Sequence, residues 1–297
     1  MTTTLVDTSP QKTRPTGPER PRSGLPRRRW IGRLSLPMIL LVVAVATVLP
    51  FLLMLVVALT PPGTMGIPAD LLPNRFGVDN FGDLLASGMI LRWTINSLIY
   101  AGVSTAVTLL LATMAGYAFA KKRFPGRELI FWAFLAMLMV PLEVNLIPFF
   151  VLVSSLGGVD TYWGLIVPTL ANAQACFLMR QFIRQLPDEL IQAAKVDGAS
   201  EWQVFTRIIV PLARPAMAAI GVFLFLWHWN DFLWPLMVGQ DEQMQTLTVG
   251  LATLQTESVP IGQQMAAATL AALPCLVIFM LLQRYLVDSI AATGLKS

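Results

Sequence analysis

Apolar and polar stretches alternate along this chain on the scale of whole helices. Six apolar runs stand out, at about residues 36–59, 93–120, 129–153, 161–183, 213–237 and 262–286. Each meets the roughly 20-residue length that an α-helix needs to cross the hydrocarbon core of a bilayer. Each is predicted to be helical, because lipid offers no partner to an exposed backbone amide or carbonyl. The first run has 24 residues without a charge. An export signal has a much shorter apolar core and a small-residue cleavage site, so this run reads as a permanent anchor. The fifth run is the weakest, because Asp231 interrupts it.

Between the fourth and fifth runs lies residues 187–215, the most polar segment in the apolar half of the chain. Its local signals predict two short helices joined by a tight corner. Pro187 suits a first helical position, and Asp188 and Glu189 put negative charge on the first turn. Gly198 can adopt the left-handed conformation that ends a helix. Ser200 with Gln203 has the spacing of a capping box that starts the next one. Pro211 and Pro215 are expected to break that second helix before the fifth run. The small pair Ala193 and Ala194 would let another surface come close. On residues alone, a rigid elbow that docks a partner and an ordinary amphipathic connector both remain open.

Composition supports the membrane reading. The 297 residues are 55% hydrophobic and 13% charged, against about 25% charged in soluble domains. Cys176 and Cys275 lie inside apolar runs and read as small buried hydrophobes. A single histidine, His228, cannot build a multi-histidine metal site. No phosphate-binding Gly-x-x-x-x-Gly-Lys-Ser/Thr loop occurs, so any ATP that drives this protein binds to another chain.

Charge orients the runs. Residues 1–34 are rich in Pro, Ser, Thr and Arg, and Pro10, Pro15, Pro18, Pro21 and Pro26 oppose a helix. This segment is predicted to be a disordered, basic, cytoplasmic extension. Arg27, Arg28, Arg29 and Arg33 precede the first run, and Lys121, Lys122, Arg123 and Arg127 crowd one short connector. Connectors 154–160 and 238–261 carry no Lys or Arg, and 60–91 carries only Arg75. The bias predicts a multi-pass membrane protein with both termini, including the tail 287–297, and the 187–212 elbow in the cytoplasm. The outer connectors 60–91 and 238–261 either touch an extracytoplasmic partner or are solvated turns.

Polar residues inside apolar runs mark candidate path residues. Glu143 sits between Pro141 and Pro148 with Asn145 two residues on, and faces either a cavity or the outer interface. Asn230 and Asp231 lie in the aromatic stretch Trp227–Pro235, which suits a sugar: rings cover pyranose C–H faces while amides and carboxylates bind hydroxyls. An interfacial aromatic belt is the alternative. Asn96 contacts either substrate or a neighbouring helix.

Several of these motifs resemble one family. Gln192-Ala193-Ala194, Asp197-Gly198-Ala199 and Ile208 through Pro211 resemble the EAA loop of ABC importer permeases, with Gln192 where that family usually has Glu. Glu189, one turn earlier, offers compensation. Trp229-Asn230-Asp231-Phe232 resembles a motif of carbohydrate-uptake permeases, and Asn96-Ser97 matches a recurrent pair. Leu282-Gln283-Arg284-Tyr285 and the tail are also similar, with Ser289 and Thr293 where Gly is usual. The resemblance is to the smaller membrane subunit of maltose-type disaccharide importers.

It implies an all-α membrane protein, with six transmembrane helices of the type I ABC importer permease fold and a cytoplasmic coupling-helix elbow. Glu189, Gln192, Ala193, Ala194, Asp197, Gly198 and Ala199 would meet an ATPase. Asn96, Glu143, Asn145, Asn230 and Asp231 would line the substrate path. The implied partners are a second permease, two ATPase subunits that hold ATP and Mg, an extracytoplasmic binding protein and a sugar. The chain itself would catalyse no bond chemistry. An ion-coupled secondary transporter of small polar solutes is the alternative, and it calls for intramembrane acid pairs or interrupted repeats that Glu143 and Asp231 alone do not supply.

Overall fold

A computed structural model describes residues 28–61, 75–256 and 259–294. All regular structure among them is helical. The first run forms α1 (Arg28–Ala58), which begins inside the 1–34 segment expected to lack a helix. Residues 1–27 of that segment lie outside the described residues. The chain divides into a unit ending at Leu49 and a body from Pro50 onward. In the first unit, the described side chains from Pro37 to Leu49 are all exposed, as suits a helix whose solvent is lipid.

The body is built on α3 (Met89–Lys121), which carries the second run. It packs along α7 (Ala173–Arg184) and α10 (Val210–Trp229). Small residues set the closeness of the first of these contacts. A Cβ on Gly116 would stand 2.9 Å from the backbone nitrogen of Arg180 and 2.9 Å from the Met179 Cβ. One core cluster joins Ala112, Tyr117, Met179, Ile183, Ile209 and Ile220 around this crossing. A second gathers Trp93, Ala101, Trp229 and Leu247 with Ala266 and Ala267 of α13 (Ile261–Gly294).

Three of the six predicted runs are interrupted, and local chemistry explains each. The third is two helices, α4 (Arg127–Ala136) and α5 (Leu142–Ser155), with a 3-10 turn between them and a bend of 103°. Pro141 takes the extended conformation that opens α5. Pro148 stays inside α5 and does not end it. The fourth run becomes α6 (Tyr162–Ile166), a 3-10 turn that contains Pro168, and α7. Asn172 caps α7 by accepting from the Ala175 amide at 2.8 Å. The fifth run ends at Trp229; after Asn230–Phe232 the chain resumes as the short α11 (Leu233–Val238).

The elbow corrects one expectation outright. Its helices are α8 (Asp188–Val196) and α9 (Glu201–Val204), and Pro187 is the residue before the first helical turn. Yet Pro211 and Pro215 do not end the second helix, which runs without a break from Glu201 to Trp229. A π turn at Phe205–Ile209 precedes Pro211. Proline has no amide to give to the carbonyl four residues back, and its ring crowds that carbonyl. One wider turn re-spaces the ladder just ahead of Pro211, so the helix passes the missing amide without ending.

Among the described residues, the connectors 60–91 and 238–261 also carry helices. Residues 79–86 form α2 (Asp79–Ala86), tied down by Asn80, whose side-chain nitrogen donates to the carbonyls of Ala58 and Thr60 at 2.9 and 2.8 Å. Connector 238–261 contains α12 (Leu247–Thr256). At the other end, α13 is helical through Gly294, past the expected start of a tail at 287. The side chains of Leu282, Gln283, Arg284, Tyr285, Ser289 and Thr293 lie outside the described residues.

Candidate functional site: an exposed elbow and a cavity at a broken helix

The elbow's corner forms as its capping signals require. Gly198 has φ +82°, where a Cβ would be strained. Its amide donates to the Lys195 carbonyl at 3.1 Å, and the Ala199 amide reaches back to the Ala194 carbonyl at 2.9 Å. This pair of bonds is the Schellman closure of a helix C-terminus. Ser200 Oγ accepts from the Gln203 amide at 3.3 Å, and Gln203 Oε1 accepts from the Ser200 amide at 2.7 Å. Gly198 therefore serves conformation; none of the described residues comes within 4 Å of where its Cβ would stand.

Burial divides the elbow into a base and an apex. Ile191, Val204, Phe205 and Ile209 enter the core that contains Tyr117 and Ile183. Glu189, Gln192, Ala193, Asp197 and Gly198 are exposed, while Ala194 and Ala199 are half-buried. Val196 is 88% exposed and Trp202 61%, so the apex presents apolar surface as well as polar. Glu189 and Gln192 lie three residues apart on α8 and share a face.

Ion pairs fix the base to the end of α3. Lys121 Nζ donates to Asp188 Oδ1 at 2.7 Å and to the Leu186 carbonyl at 2.5 Å. Lys122 pairs with Glu201, which also accepts from the Tyr117 hydroxyl at 3.2 Å and pairs with Lys195 at 3.0 Å. Burial works against the charge on Lys122, but its hydrogen bonds to Glu201 and Tyr117 outweigh this and hold its ammonium above the ordinary lysine range.

The second feature is a cavity of about 280 Å³. It lies where α5 begins and where the fifth run breaks. Glu143, Leu146, Trp227, Asn230, Asp231 and Phe232 line it. Glu143 sits in the first turn of α5, a favourable end of the helix dipole for a carboxylate. Asp231 Oδ2 accepts from the Tyr100 hydroxyl at 2.7 Å. Trp227 is 43% exposed, so its ring is available at the wall. No lysine or arginine is among the described lining residues.

Two of the expected path residues are placed elsewhere. Asn96 is fully buried, donates to the carbonyls of Gln243 and Gln245 at 2.7 and 2.8 Å, and accepts from the Tyr162 hydroxyl at 2.7 Å. It pins the 238–261 connector to α3, as an interhelical contact would. Asn145 is half-buried and does not line the cavity. It follows Glu143 by two residues, roughly 200° around the helix. The aromatic stretch also divides: Trp229 is a core residue, while Trp234 is buried, donates to the Leu165 carbonyl at 3.0 Å and still lines the cavity.

Residues 108–291 match the family described as "Binding-protein-dependent transport system inner membrane component". The chain belongs to this family. Among relatives of this inner-membrane component, the arabinooligosaccharide transport permease AraQ of Bacillus subtilis is 34% identical over 272 residues, covering 89% of this chain and 96% of AraQ. The sn-glycerol-3-phosphate transport permease UgpE of Brucella abortus is 34% identical over 236 residues, covering 76% of this chain and 84% of UgpE. A bacterial ABC transporter involved in import of the acidic polysaccharide alginate shares the fold. It has a TM-score of 0.77 and 22% identity, with 88% of this chain and 99% of that chain covered.

What residue reading missed in this permease is the attachment of the elbow. Lys121 and Lys122 read only as orienting charges, and Asp188 only as a helix-dipole residue. Glu201 carried no reading at all. The available signal was an acidic residue in the first turn of each elbow helix and a lysine pair ending the preceding long run.

Proposed function

We propose that this permease is one half of a heterodimeric carbohydrate path in an ATP-driven importer, moving sugar inward by alternating access. A second permease completes the path, two ATPase subunits hold ATP and Mg, and an extracytoplasmic binding protein delivers the sugar. The elbow, on the cytoplasmic side, meets the ATPase through Gln192, Ala193, Ala194, Asp197, Gly198 and Ala199, with Glu189 beside Gln192. When ATP closes the ATPase dimer, the elbow moves as a body and the helices reorient.

The observation that carries this reading is the division of the elbow into an anchored base and a bare apex that exposes Val196 and Trp202. A cavity that combines an open Trp227 face with Asn230, Asp231 and Glu143 supports sugar as the cargo. Its carboxyl groups, with no cation among the described lining residues, favour a neutral sugar over a phosphate.

The test is uptake into proteoliposomes that contain the full complex and its binding protein. ATP inside should drive uptake of neutral oligosaccharide, with no uptake from an ion gradient alone. Gradient-driven, ATP-independent uptake would overturn the assignment.

A further inference from the structure

We infer that Lys121, Lys122 and Tyr117 are positioning residues that lock the elbow to the end of α3, so that α3 turns with the elbow during the transport cycle. The inference rests on the transport reading above and adds the route by which motion reaches the bundle.

Two separate contacts make the lock. Lys121, whose side chain is 7% exposed, gathers Asp188 at the start of α8 together with the Leu186 carbonyl just before it. Lys122 and Tyr117 both reach Glu201, the first residue of α9, and the Lys122 ammonium lies 4.9 Å from the Tyr117 ring centroid. Each elbow helix is therefore held at its first turn by the same end of one long helix. The Phe205 ring packs at a tilt against Tyr117, centroids 5.7 Å apart, and covers the contact from the apolar side. The far end of the elbow continues unbroken into α10. A push on the apex thus has two backbone exits, into α10 without a break and into α7 through residues 185–187, and a third into α3 through these side-chain contacts. Two lysines adjacent in sequence reach both elbow helices because the backbone leaves the helix between them, with Lys122 extended at φ −99° and ψ 150°.

The test uses the reconstituted complex with its ATPase and binding protein, and reads sugar transported per ATP hydrolysed. Lys121→Met and Lys122→Met should each lower that ratio several-fold, and the double variant more, while ATPase subunits still co-purify. Lys121→Arg and Lys122→Arg should restore most of it, which a loss of packing alone would not allow. In a Lys122→Cys, Glu201→Cys variant, a short thiol-specific bridging reagent should restore the ratio, and its removal by reductant should lower it again.

Normal coupling in both Met variants would overturn the inference, as would a bridged variant that is inactive, since the elbow would then have to leave α3. Loss of ATPase co-purification from elbow-apex variants is the separate reading for the proposed function: its absence counts against that proposal and leaves the lock to be judged on the ratio.

Discussion

At the residue scale, Gly198 and Asn96 were both candidate site residues and resolve into different physics. Gly198 at φ +82° holds the corner between α8 and α9. A Cβ there costs about 1 kcal/mol or more in the left-handed region. Gly198→Asp adds charge to the exposed apex, so sugar uptake should fall to near background while folded protein remains in the membrane. Uptake near the unsubstituted level would remove the corner from the mechanism. Asn96 makes three hydrogen bonds in a fully buried setting. Asn96→Ala removes the side-chain donor to the Gln245 carbonyl and the acceptor of the Tyr162 hydroxyl, at roughly 1–3 kcal/mol for each group left unmet, while the Gln243 carbonyl keeps Arg92 Nε at 3.1 Å. A thermal melt of the detergent-purified complex should show a clear drop, with uptake per folded complex little changed. A specific loss of uptake at unchanged stability would instead return Asn96 to the substrate path.

At the element scale, the contrast between α7 and the long helix containing α10 shows what was legible in the chain. Hydropathy located all six runs, and capping chemistry located the corner of the elbow to the residue. Helix continuity was less legible, because proline acts through its surroundings. Pro141 coincides with a break, Pro148 sits within α5, and Pro211 is absorbed by a π turn. No local pattern distinguishes these cases, since the outcome depends on whether neighbouring turns can re-space their hydrogen bonds. Asn96 was ambiguous for a related reason: a polar residue in an apolar run marks a partner but not whether that partner is cargo or carbonyl. The close α3–α7 crossing at Gly116 was not read from the chain either, and it yields a sharp expectation. Gly116→Val places methyl groups where the backbone of Arg180 already stands within 2.9 Å of a Cβ. Over-packing of this kind costs about 1–3 kcal/mol or more, and the variant should accumulate poorly in membranes. Normal accumulation would mean that α3 and α7 part readily.

At the scale of the whole molecule, the question is whether the cavity at the broken fifth run binds cargo or only ends a helix. Asp231 serves both readings, because it lines the cavity and accepts the Tyr100 hydroxyl. Asp231→Ala removes the acceptor from a tyrosine that is fully buried. It should therefore lower both stability and uptake, with uptake the more affected. Asp231→Asn keeps an oxygen for Tyr100 and removes only the charge, so the melting temperature should stay within a few degrees. If the carboxylate binds sugar hydroxyls, uptake should still fall about ten-fold, because charge-assisted hydrogen bonds are roughly twice as strong as neutral ones. Glu143→Gln should act in the same direction and, combined with Asp231→Asn, should lower uptake further without dissociating the subunits. Full uptake by the Asn variant would leave Asp231 as the buttress of Tyr100 alone and move the cargo contacts away from its carboxylate.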